Sequence, residues 1–113
     1  DIDVLEATAY YRNRQPNVNA GTRMLFSHAA TNIAWDAFAF AETLLTQPMM
    51  VVIGNKPGGF GAYRDGMEIH GRAASKDKHL VVAEGWSHYD LYDKPEPVGF
   101  ALSKVVPFFK EKL

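Results

Sequence analysis

The sequence predicts an α/β chain: two parallel strands joined by a crossover helix, with further helices flanking them. Three observations predict it. Met49-Met50-Val51-Val52-Ile53-Gly54 is a continuous apolar run without alternation, and a strand apolar on both faces belongs inside a parallel sheet. Lys78-His79-Leu80-Val81-Val82-Ala83-Glu84 is a second short apolar run that reads as a buried strand. Helical segments follow each of them, so the order from Pro48 onward is β-loop-α-β-loop-α, which implies a right-handed crossover. Residues 1–113 therefore read as one domain, with a helical region over 1–47 and the β-α-β-α unit over 48–113.

Taken in order, the chain opens on Asp3 and Glu6, which have capping-box spacing with an acidic cap. Val4, Leu5, Thr8 and Tyr11 then give one face of a short helix ending near Arg14. Gln15 to Gly21 is a loop by its turn residues. Met24-Leu25-Phe26 reads as a brief apolar anchor before Ser27, a plausible N-cap. From Thr31 to Leu45 the apolar residues Ile33, Ala34, Ala37, Phe38, Ala41, Leu44 and Leu45 fit a helix. Trp35 and Phe40 spill onto its other side, the pattern of a helix covered on more than one face. Pro48 ends it, because proline disfavours helical geometry at the residue before it. Asn55 to Gly61 is a loop, Ala62 to Ala74 a helix despite Gly66 and Gly71, and Ser75 to Lys78 a turn into the second strand. An apolar-periodic helix from Val98 to Leu113 closes the chain, and Pro107 inside it predicts a kink costing about 3 kcal/mol of local helix stability.

Composition narrows the function classes. Hydrophobic residues at 47% and charged residues at 22% describe an ordinary globular domain, and 113 residues suffice for one small one. A formal net charge of −1 gives no electrostatic case for nucleic acid or an anionic membrane surface. With no cysteine, disulfides, thiolate metal sites and a cysteine nucleophile are excluded within these residues. No apolar run approaches the roughly 20 residues that span a bilayer. Asp1-Ile2-Asp3-Val4 shows neither the basic start nor the apolar stretch of a signal peptide. A cytoplasmic location is the default expectation, and the missing initiator Met leaves room for an upstream start.

The stretch Gly85-Trp86-Ser87-His88-Tyr89-Asp90-Leu91-Tyr92-Asp93-Lys94-Pro95 follows the second strand and precedes the closing helix. Together, "GWSHYDLYDKPEPV", the upstream "PMMVVIG" and the downstream "VVPFFKEKL" resemble the C-terminal portion of an α/β-hydrolase of the dienelactone-hydrolase-like branch. The resemblance covers nearly the whole chain but only the last part of that family's domain. It implies a partial α/β-hydrolase fold, a serine-type esterase-like activity on small acyl substrates, and no cofactor. It also implies that His88, on the loop leaving the last strand, descends from the general base that takes and returns the nucleophile's proton.

The other parts of such a site are not in place. The family commonly sets its acid on the loop after the preceding strand, yet Gly54 to Gly61 contains no carboxylate. Asp65 is the nearest downstream candidate to orient His88, although the first turn of a helix suits it for dipole reasons alone; Asp36 is a weaker one. The Gly-x-Ser-x-Gly elbow is absent. Of Ser27, Ser75, Ser87 and Ser103, only Ser87 has a partial match, with Tyr89 where the second glycine belongs. Pro57-Gly58-Gly59-Phe60-Gly61 lacks the spacing of a phosphate loop. His70, His79, His88, Asp90 and Asp93 offer no short metal-ligand pair, so no metal is expected. Tyr10, Tyr11, Trp35, Phe38 and Phe40 suit a core better than an acyl pocket. The chain is thus expected to be inactive alone. The rival expectation is a non-catalytic remnant serving assembly or small-molecule binding. Its partner is expected to be a second copy joined through the sheet edge, or a missing N-terminal half, and neither nucleic acid nor membrane.

Overall fold

The computed structural model describes residues 1–14 and 25–113. Helix α1, Ile2–Thr8, runs into a π-helical turn, Ala9–Arg14. After a 3₁₀ turn, Phe26–His28, come two short helices, α2, Ala29–Ala34, and α3, Ala41–Leu44. The remainder alternates: strand β1, Met49–Gly54; helix α4, Ala62–Arg72; strand β2, Lys78–Ala83; a one-turn helix α5, Asp90–Asp93; and helix α6, Pro95–Lys112. The loop predicted over Gln15–Gly21 lies outside the described residues.

The two apolar runs pair in parallel, from Met49 opposite Lys78 to Gly54 opposite Ala83. Side chains alternate along each strand, so the helices that cover the two faces can be assigned. A side chain on Gly66 of α4 would collide with Ile53 and crowd Val51, so α4 lies on the face of those two residues. His79, the register partner of Met50, points to the opposite face, where its ring meets Phe108 of α6 at 5.6 Å. The result is helix, sheet, helix in three layers, with Ile53, Ala73, Ala83, Tyr89 and Phe108 in the core. Lys112 fastens the end of α6 to Asp77 at 2.8 Å, just before β2. The same Asp77 bonds His79 at 2.8 Å.

The N-terminal region departs from expectation. The cap of α1 is Asp1, whose Oδ1 accepts the Asp3 and Val4 N–H groups at 2.9 and 3.3 Å, and Asp3 is buried within the first turn. Val4 and Leu5 are exposed, because α1 docks through its polar Asp3 face. The helix predicted over Thr31–Leu45 is broken, and Ser27 sits in the 3₁₀ turn rather than capping α2. At the break Asp36 Oδ1 accepts the Phe38 N–H at 2.9 Å, a local turn that competes with helical bonding, and Phe40 is left-handed at φ 64°. Trp35 and Phe40 are 75% and 69% exposed, not core. Of the predicted anchor Met24-Leu25-Phe26, Met24 lies outside the described residues and Leu25 and Phe26 are exposed.

Arg72 holds this region to the sheet unit. It reaches Glu42 at 2.5 Å, Glu68 at 2.9 Å and the Phe38 carbonyl at 3.2 Å, and stacks over the Phe38 ring. These partners keep the guanidinium charged, and the Arg72 bond holds the Glu42 carboxyl below the usual carboxylate range. At the other end α6 starts at Pro95, three residues before the predicted Val98, because proline is pre-set for the first turn of a helix. It continues through Pro107, which leaves the Ser103 carbonyl without its helical N–H donor. Among the described residues no helix is long and apolar enough to cross a membrane.

Candidate functional site

Parallel pairing sends the loops after β1 and β2 out of the same sheet edge, and they are stitched together there. Asn55 Oδ1 accepts the Gly85 N–H at 2.6 Å, its Nδ2 donates to Glu84, and the Lys56 N–H donates to the Trp86 carbonyl at 3.1 Å. A cavity of about 180 Å³ opens at this edge, lined by Asp3, Gly54, Lys56, Gly58, Tyr63 and His88 among others. His88 is half-buried in its wall.

Local chemistry sets the path of the histidine loop. Ser87 and Asp90 cap each other: Asp90 Oδ2 accepts the Ser87 N–H at 3.0 Å and Ser87 Oγ accepts the Asp90 N–H at 3.1 Å. That exchange turns the chain into α5 directly after His88. Ser87 is 0% exposed, so its hydroxyl is a structural cap and cannot meet a substrate. Lys94 closes the Asp90 carboxylate at 2.5 Å. Burial pushes the Asp90 carboxyl up, but the Lys94 ammonium and the Ser87 bonds outweigh it and hold it below the usual range.

The His88 ring sits among tyrosines. Its Nε2 lies 2.9 Å from the Tyr92 hydroxyl, and the ring stacks edgewise on Tyr89 and Tyr92 at 5.3 and 5.0 Å. Tyr10 and Tyr11, from the π-helical turn, reach the same cluster, Tyr10 lying 5.1 Å from Tyr92 and Tyr11 6.3 Å from Tyr89. Burial, and then the neighbouring Tyr11 and Tyr89 hydroxyls, push the Tyr92 phenol up, so it stays a proton donor at neutral pH. The expected consequence is a partly masked imidazole. Removing one such hydrogen bond is worth about 1 kcal/mol, so Tyr92→Phe should speed diethyl pyrocarbonate modification of His88 roughly 2- to 10-fold. An unchanged rate would mean that Tyr92 does not hold Nε2.

The predicted acid is elsewhere. Asp65 pairs with Arg64, whose Nε and Nη2 both lie 2.9 Å from its Oδ1, and among the described residues no hydrogen bond or ion pair joins it to His88. Asp36 serves the turn before Phe40. His79 is bonded to Asp77 and Asp90 to Lys94, so these two groups are committed to structural pairs. The residue that sequence reading missed is Asp3. It lines the His88 cavity at 2% exposure, and its Oδ2 accepts the Phe60 N–H at 2.8 Å. Only the packing of its carboxylate against the glycine-rich loop sets it apart from an ordinary helix-start carboxylate, and 57 residues separate it from Phe60.

No family model matches the chain. It is similar, at 41% identity over 81 residues, to the uncharacterized protein YcjY of Escherichia coli (strain K12). The match takes in 72% of this chain and 26% of that protein, so the chain spans about a quarter of the relative's length.

Proposed function

We propose that this chain is the histidine-bearing part of an α/β-hydrolase-type enzyme acting on esters or similar small acyl substrates. The observation behind this reading is the position of His88. It lies in a cavity wall at the C-terminal edge of a parallel pair, on the loop that leaves β2 and ahead of a long closing helix. There an imidazole can take a proton from an attacking hydroxyl and return it to the leaving group. Ser87 is buried as a cap, so the nucleophile and the oxyanion donors come from outside these 113 residues. The chain by itself does not turn over substrate.

The test is a chimera in which this chain replaces the matching segment of the Escherichia coli relative. Fluorophosphonate labelling and hydrolysis of p-nitrophenyl esters are read beside the isolated chain. The isolated chain is expected to do neither. The chimera is expected to do both, and His88→Ala to lose ester turnover while the fold is retained. A folded chimera whose turnover ignores His88→Ala sinks the reading. So does an isolated chain whose own turnover is lost with His88→Ala and with a serine-directed inhibitor.

A further inference from the structure

We propose that Asp3 is the positioning acid of His88, delivered by α1 to the place over Gly58 where the loop after β1 has no carboxylate of its own. The proposal rests on the reading of His88 as a general base and assigns the partner that such a base requires. A neutral imidazole must carry its proton on the nitrogen facing away from the nucleophile, and a carboxylate accepting that proton fixes both tautomer and ring orientation.

Three observations converge on Asp3. The loop from Gly54 to Gly61 follows the strand beside the histidine strand and contains no acid. A Cβ built on Gly58 would overlap all three atoms of the Asp3 carboxylate group. The Asp3 carboxylate therefore fills the space in which a side chain of residue 58 would begin. It is held there by the Phe60 N–H at 2.8 Å, and the cavity it lines is the one His88 lines, with no hydrogen bond or ion pair between the two side chains among the described residues. The placement is built, since Asp3 is 2% exposed and the fit depends on the bare glycine. On the other side of the ring the Tyr92 hydroxyl takes Nε2, which leaves Nδ1 as the nitrogen for an acid. Burial, then Tyr11, Asp3 and Glu6 in that order, push the neighbouring Tyr89 phenol up, so the charge of either carboxylate reaches the cluster packed on His88 and geometry has to separate them. Glu6, one turn further along α1, is the competing carboxylate. Its Oε2 is buried and has no hydrogen-bond partner among the described residues, but Glu6 does not line the cavity.

The test is the imidazole N–H proton of His88, observed by NMR in the full ¹⁵N-histidine-labelled chain. A slowly exchanging, downfield Nδ1–H resonance is expected in the wild type. Asp3→Asn, which keeps an oxygen for the Phe60 N–H, should abolish it, whereas Glu6→Gln should leave it. Moving the carboxylate, with Asp3→Ala and Gly58→Asp together, should restore it. No such resonance in the wild type, its survival in Asp3→Asn, or its loss in Glu6→Gln alone overturns the assignment. In the active chimera the two readings fail differently. Turnover indifferent to His88→Ala sinks the hydrolase reading. Turnover lost with His88→Ala but unmoved by Asp3→Asn sinks only Asp3.

Discussion

Gly54→Ala is expected to destabilise the chain by about 3 kcal/mol, near the upper end of overpacking costs. For a domain of this size that corresponds to a fall in melting temperature of roughly 12–24 °C. Gly54 ends β1 where the histidine loop crosses over it. A Cβ there would lie 2.8 Å from the Trp86 carbonyl carbon, 2.9 Å from the Ser87 oxygen, and closer still to the Trp86 oxygen. All three atoms are backbone, so no rotamer change can relieve the clash. The loop would have to move, breaking the Lys56 to Trp86 bond and the Ser87–Asp90 caps that aim His88. Gly71→Ala is the control. Its Cβ would meet nothing within 4 Å, and it lies in α4, so alanine should stabilise by about 0.5–1 kcal/mol. Circular-dichroism melts of both variants decide the matter; a Gly54→Ala chain melting with the wild type would show that the two loops do not pack this closely.

The β-α-β unit was legible because its signals are local. Unalternating apolar runs gave both strands to within a residue, and the loop glycines gave the start of α4. The helix over Thr31–Leu45 was not legible. Its apolar spacing suits a helix, but one Asp36 side-chain bond and a left-handed Phe40 redirect the backbone, and periodicity carries no trace of either. The Ser87–Asp90 exchange was visible as Ser-x-x-Asp spacing and could have located α5. Asp3 was beyond reach. An acidic residue near a helix start has a sufficient local explanation, and its true neighbour is a glycine 55 positions away whose relevance is the side chain it lacks. Asp65, chosen for its proximity in sequence to that loop, pairs with Arg64 and does not line the His88 cavity.

The isolated chain is expected to self-associate, eluting at micromolar concentration with about twice its 12.6 kDa mass or more. The sheet has two strands, so each has one neighbour and one edge unpaired among the described residues. Two strands make a marginal sheet, and an open edge of backbone donors and acceptors is a template for another copy. The helical region adds apolar surface: Phe26, Ile33, Trp35, Phe40 and Leu44 are all exposed. Phe40 and Leu44 also line an open groove of about 250 Å³ with Leu45 and Ile69. Among the described residues the buried apolar side chains are Ala41, Ile53, Ala73, Ala83, Tyr89, Pro97 and Phe108, a small core against that exposure. A two-fold contact joining β1 edges covers both at once, since the same patch on each copy meets its equivalent. Light scattering gives the mass, and hydrogen exchange identifies the surface. The outward amides of Met49–Gly54 should be protected in the associated form and lose that protection on dilution. Protection confined to Ile33–Leu44, with β1 exchanging freely, would move the contact from sheet to helices. A monodisperse particle of the chain mass with a cooperative melt would mean that α4 and α6 alone bury enough of this sheet to hold it.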